Sequence, residues 1–224
     1  MKYKHILNIH KKLYHMANEN AWENISKHGL CSTEALLNIF EIKDPLRKQL
    51  LTQHRPECVT IKHPEYGTAI VRDQKPLRET TLKRVLDDGL SPSEWYQILN
   101  RKTFFWTTHS RLCGLLAAKA YRNYRHCVLT LDAKKLIERH YDAITLSPYN
   151  SGCTLFNAPR RGNSTFSKID DFDYDYWRNR GRKADDVIVE LAVDYRVTDI
   201  LDFIDSVDMM QSDSLPHNIY RRST

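Results

Sequence analysis

Glycine and proline are scarce, at 7 and 8 residues in a chain of 224, too few for a collagen-like or low-complexity protein. Cysteine occurs five times, at Cys31, Cys58, Cys113, Cys127 and Cys153. That number is odd, the spacing is wide and no C-x-x-C pair is present, which argues against a disulfide framework and a zinc site and fits a reducing cytoplasm. No window approaches the roughly 18 consecutive apolar residues of a membrane span, so a soluble, cytoplasmic protein with no membrane partner is expected. The first dozen residues interleave Lys and His with a few apolar positions and offer no signal-peptide core or cleavage site, so export is not expected. The phosphate-loop, dinucleotide-fingerprint, serine-elbow and zincin patterns are all missing. His28 and Cys31 lie close together but lack the Cys/His/Asn pattern of a thiol hydrolase. Nothing carries metal-ligand spacing, and no metal is expected.

What is present describes an ordinary folded body. The chain is 41% hydrophobic and 28% charged, and at 26.4 kDa folding should bury roughly 70% of its surface. No repeat or linker marks a boundary, so residues 1–210 are read as one domain and 211–224 as a flexible tail. The formal net charge is +6 and the pI about 9.0, which suits an acidic partner such as nucleic acid or a nucleotide. The cations are scattered: Lys11-Lys12, Arg47-Lys48, Arg160-Arg161 and 178–183.

The first half reads as short helices. Ala21, Trp22 and Ile25 share a helical face that Gly29 closes. Ser32 caps a helix with Leu36, Leu37 and Phe40, Asp44-Pro45 opens another with Leu46, Leu50 and Leu51, and Ser91-Pro92 repeats the start signal. The second half contains strand-like runs at 103–107, 127–131, 143–146 and 187–193. A helix is expected over 110–124 and a shorter one after Asp132. Without a strict βαβ repeat the class is α+β. Residues 147–182 read as a long loop of the kind that often carries function.

Leu13-Tyr14-His15-Met16-Ala17 reads as a short strand, followed by a helix with Trp22 and Ile25 and then Gly29-Leu30. This segment resembles the opening of the histidine-containing ADP-ribosyltransferases, in particular the DNA-targeting toxins of the DarT type. Two later segments resemble the same family in the same order. Phe104-Phe105-Trp106 with its polar turn is similar to the central aromatic strand, and 187–193, an apolar run interrupted by Glu190, is similar to the late strand. Arg72-Asp73-Gln74 and Asn150-Ser151-Gly152 resemble signatures of a related uncharacterised bacterial family. The resemblance covers about residues 13–204. It implies a split β-sheet core with several short helices in the N-terminal half, and NAD⁺ as co-substrate without a metal. It further implies transfer of ADP-ribose to an acceptor, with a nucleic-acid base, single-stranded DNA or RNA, or a protein as candidates.

The resemblance assigns catalytic roles to His15 and Glu190 and cofactor contacts to Tyr14, His15, Phe105 and Trp106, while Arg72, as a catalytic anchor and cofactor contact, and Arg101, as a cofactor contact, come from residue type and position. Substrate contacts fall on Asn150, Arg160 and Arg161. The chemistry of the residues supports some of these roles and leaves others open. A carboxylate within Val-Ile-Val-Glu-Leu-Ala-Val is costly to bury: it faces water from an edge strand, forms an ion pair, or stabilises charge that develops on an oxocarbenium-like ribose. Arg72 and Arg101 are alternative anchors for pyrophosphate through paired hydrogen bonds. Strand alternation sends Phe105 and Trp106 to opposite faces. The loop 150–166 is either a nucleic-acid contact or a solvated basic loop. A non-catalytic nucleotide- or nucleic-acid-binding module on the same fold is the alternative to an enzyme. Oligomeric state is not legible.

Overall fold

The computed structural model describes residues 2–222. Helix α1 (Lys2–Ile9) leads into strand β1 (Lys12–Asn18), helix α2 (Trp22–His28) and a short strand β2 (Leu30–Cys31). Gly29 ends α2 with a φ of 79°, and a Cβ there would lie 2.5 Å from the Val197 carbonyl oxygen, so the position needs glycine both for its left-handed backbone and for the close approach. Helix α3 (Thr33–Ile39) starts at Ser32, whose hydroxyl accepts from the Ala35 N–H. Helix α4 (Leu46–Thr52) follows.

The expectation of helices throughout the first half fails next. Strands β3 (Val59–His63) and β4 (Gly67–Val71) form an antiparallel hairpin. It pays for its burial against α3 and α4, where Ile61, Ala69 and Val71 meet Leu37, Phe40 and Leu50 in a small separate core. Helices α5 (Glu79–Val85) and α6 (Pro92–Asn100) come next, the latter opened by a reciprocal Ser91–Glu94 capping box.

The second half supplies β5 (Lys102–Trp106), α7 (His109–Leu116), β6 (His126–Asp132), α8 (Ala133–His140), β7 (Ile144–Ser147), β8 (Ser167–Lys168) and α9 (Tyr174–Arg178). The chain ends with β9 (Glu190–Asp194), β10 (Arg196–Val197), β11 (Ile204–Met210) and β12 (His217–Arg221). Three expectations need correction. α7 ends at Leu116 and gives way to consecutive turns instead of continuing to Tyr124. β9 begins at Glu190, so the run 187–189 is buried but is not strand. The tail expected from 211 onward turns back as β12 and pairs with β11, an edge ladder that satisfies its backbone despite its polar side chains.

The architecture is α+β. Eight strands form one antiparallel sheet in the order β12-β11-β6-β1-β5-β9-β7-β8. Alternation along β1 separates its two faces. Leu13 and Ala17 join the main core with Phe105, Leu129, Leu191 and, from α8, Leu136 and Ile137. Tyr14 and Met16 face the other way, toward Leu112 and Leu116 of α7. Each buried leucine or isoleucine contributes about 1.5–3 kcal/mol, so both faces anchor the sheet. Among the described residues no helix is long and apolar enough to cross a membrane.

Candidate active site

The sheet is not uniformly joined. β1 and β6 share seven consecutive residue pairs, from Lys12↔Asp132 to Asn18↔His126, whereas β1 and β5 share one, Tyr14↔Trp106. β5 is fully paired on its other edge with β9, where Trp106 stands opposite Glu190. The sheet therefore consists of two four-stranded halves hinged at one pair. Beyond that pair β1 and β5 diverge around a cleft of about 330 Å³. Its walls are residues 15–18 and 102–106, residues 69–74 border it from the hairpin side, and residues 150–152 with Glu190 complete the lining.

Backbone groups where the ladder fails need other partners, and two side chains supply them. His15 Nδ1 lies 2.8 Å from the Phe104 carbonyl oxygen, reaching from β1 to β5. Arg72 Nη1 donates to the Met16 carbonyl oxygen at 3.0 Å. Burial lowers the His15 pKa to about 4, with the nearby Arg72 charge acting the same way against the opposing Phe104 hydrogen bond. His15 is therefore neutral near pH 7. A carbonyl can only accept, so Nδ1 carries the proton and Nε2 is left as an acceptor at the cleft.

Glu190 also lines the cleft and is 5% exposed. β9 lies between β5 and β7, which rules out the edge-strand alternative. Its Oε2 accepts from both the Ser151 N–H (3.0 Å) and the Ser151 hydroxyl (2.7 Å). Burial raises its pKa to about 7, opposed by those two hydrogen bonds and by the charges of Arg161 and Arg111. A carboxyl group poised near neutrality can serve as charge stabiliser or proton acceptor with small changes around it.

Arg161 holds the loop that holds Glu190. Its Nη1 donates to the carbonyl oxygens of Ser151 (2.9 Å) and Cys153 (3.0 Å), and its Nε to that of Pro159 (3.2 Å). It is 1% exposed and is not part of the cleft lining, so in place of the substrate contact expected of it the structure gives it a loop-positioning role. Arg160 faces outward and pairs with Asp87, away from the cleft. Arg101 is likewise exposed, pairs with Glu34 at 3.5 Å and does not line the cleft, so it is not placed as the phosphate anchor expected of it. Tyr14 turns its ring edge to His109 on the α7 face, at 5.4 Å between centroids, and does not line the cleft. The structure does bring His15, Arg72, Phe105, Trp106, Asn150 and Glu190 to one cleft. Phe105 is at the same time a core residue, 1% exposed.

Two features had no assigned role in the sequence. Arg55, 6% exposed, lies in the cleft wall and donates to the carbonyl oxygens of Arg72 (3.1 Å) and Leu50 and to Asn100 Oδ1 (2.9 Å). Its direct partners are neutral, and burial pulls its pKa down to about 10. It ties β4, α4 and α6 together and places positive charge behind Arg72. Asp73, next to Arg72, accepts from the Tyr121 hydroxyl at 2.7 Å, while the Arg72 guanidinium stacks 5.1 Å above the Tyr121 ring. Only a signature containing Asp73 pointed to the second arrangement, and nothing local marked Arg55. Among the described residues no group of three or more His, Cys, Asp or Glu side chains is placed to hold a metal.

The profile of a family of unknown function, DUF7002, matches residues 11–204 of the chain. No curated protein and no solved structure matches it.

Proposed function

The chain belongs to the family of unknown function DUF7002, and from its site we propose that it is an NAD⁺-dependent ADP-ribosyltransferase. One observation carries this reading: a neutral imidazole and a buried carboxylate from different strands meet at one cleft, opened where the β1–β5 ladder stops. His15 Nε2 accepts a hydrogen bond from a ribose hydroxyl and orients the cofactor. Arg72, whose Nη1 is held by Met16, offers its remaining N–H groups to the diphosphate. Oε1 of Glu190, which has no hydrogen-bond partner among the described residues, faces the ribose as the bond from its anomeric carbon to nicotinamide breaks. Nicotinamide leaves neutral with the bonding electron pair, and positive charge spreads over the ribose carbon and ring oxygen beside the carboxylate. The acceptor then forms a bond to that carbon, and its proton passes to Glu190 and on to water.

The test is NAD⁺ consumption and NAD⁺ affinity measured on the same folded variants. Glu190→Gln should lower turnover by on the order of 10²-fold or more with affinity nearly kept, and His15→Ala should weaken both. A wild-type protein that neither binds nor consumes NAD⁺ with nucleic-acid or protein acceptors sinks the proposal.

The raised pKa of Glu190 favours a second reading, a non-catalytic nucleotide-binding module. A protonated carboxyl group donates a hydrogen bond, so in that case ligand affinity should fall as pH rises through about 7. The enzyme needs the ionised form, and its rate should rise over the same interval.

A further inference from the structure

The cations look scattered until their compensation is followed. Residues 95–131 carry six lysines and arginines and no aspartate or glutamate, a charge equal to the whole excess of the chain. Three of the six are neutralised in the fold: Arg101 by Glu34, Lys102 by Asp194 and Arg111 by Asp186. The other three, Lys119, Arg122 and Arg125, are exposed and form no ion pair among the described residues. They recur at every third position through the turns that follow α7. Tyr124, 58% exposed, stands among them, and the Lys75 ammonium lies 5.6 Å from its ring centroid. Tyr121, within the same turns, lines the cleft beneath Arg72. Nearby acids do little to cancel this charge. The Asp73 side chain is buried and taken up by Tyr121, Lys75 N–H and Arg72, and Glu57 is paired with Lys75, which leaves the exposed Glu19, next to the Asn18↔His126 pair, as one negative charge against three positive ones.

We infer that the turns at 117–125 form a docking surface for single-stranded nucleic acid running toward the cleft. Unpaired cations at regular spacing suit successive phosphates, and an exposed tyrosine between them offers a stacking platform for a base. A globular acidic protein would use the cations but has no need of an exposed ring among them. The surface is independent of NAD⁺ chemistry, because it requires only the turn and its charges. Where the proposed transferase activity also holds, it would present the strand as acceptor.

The test is fluorescence anisotropy of a labelled single-stranded oligonucleotide of about 12 nucleotides, with the full chain and no NAD⁺ present. Binding should weaken steeply with salt. The triple variant Lys119→Glu, Arg122→Glu, Arg125→Glu should reduce the slope of log affinity against log salt by about two. A charge-matched control, Lys43→Glu, Lys48→Glu, Lys62→Glu, should leave most of the affinity in place. Tyr124→Ala should cost at least about fivefold, and Tyr124→Phe should restore it. The inference is overturned if the two triple variants bind alike, if Tyr124→Ala binds as wild type, or if polyglutamate competes as well as an unlabelled oligonucleotide of equal charge. Because NAD⁺ is absent, a failure of the transferase reading leaves this result unaffected.

Discussion

The two edges of β1 are built from the same seven residues and do opposite work. Along β6 every position is paired, and the backbone is satisfied by the ladder. Along β5 one pair is made, and His15 and Arg72 reach across to carbonyl groups that the ladder does not serve. The closed edge holds the fold together, whereas the open edge exposes polar groups and space to a ligand. A site placed at an interrupted ladder keeps rigid strands as its walls, so side chains there are positioned without being buried beyond reach.

If that division is right, variants along the closed edge should fail by unfolding and those along the open edge by losing function. The largest stability effect is expected on the closed side. Leu129→Ala, at a fully buried position on β6, should cost on the order of 3 kcal/mol in denaturant unfolding. Next comes Arg161→Met, which removes the donors to three carbonyl groups and should cost about 2–3 kcal/mol. It should also release Ser151 from Glu190, so Arg161→Met would lower turnover as well as stability.

Glu190→Gln sharpens the contrast from the open side. The folded pKa is raised from 4.5 to about 7, so between these values the unfolded chain has lost the proton that the folded chain keeps. Stability contributed by the protonated group is complete below 4.5 and is lost as pH rises through about 7. The variant cannot ionise and avoids that penalty. It should unfold at higher denaturant than wild type at pH 8, by up to about 3 kcal/mol, with the gain vanishing near pH 4. Equal pH dependence in the two proteins would show that Glu190 is not under strain. The smallest effect is expected at Arg160→Ala: its solvent-screened pair with Asp87 adds little to stability, so the denaturant midpoint should barely move and NAD⁺ turnover should not change.

Local signals carried much of the fold. Ser32, the Ser91–Glu94 box and Asp132 start helices where their side chains predict, because capping is a contact within one turn. The hairpin β3–β4 was not legible: only Ile61 of β3 is fully buried, and its partners come from α3 and α4. β11 was hidden because its pairing with β6 shifts between Ile204 and Ser206, which breaks the two-residue period. Within the site, His15, Arg72 and Glu190 stood out by residue type and context. Arg161 reads from sequence as a surface contact because an arginine is seldom fully buried, whereas its role depends on carbonyl groups that the loop brings together only when folded. Arg55 has no sequence signal, since its partners come from α4, β4 and α6.

The proposed chemistry needs an ionised Glu190 in the cleft that opens between β1 and β5. The most direct test is the rate of NAD⁺ consumption across pH 5–9 for wild type and Glu190→Gln, measured side by side. Wild-type turnover should rise with pH through an inflection at about 7, and the variant should run on the order of 10²-fold slower without that inflection. Equal rates in the two proteins, or the same inflection in both, would contradict the assignment.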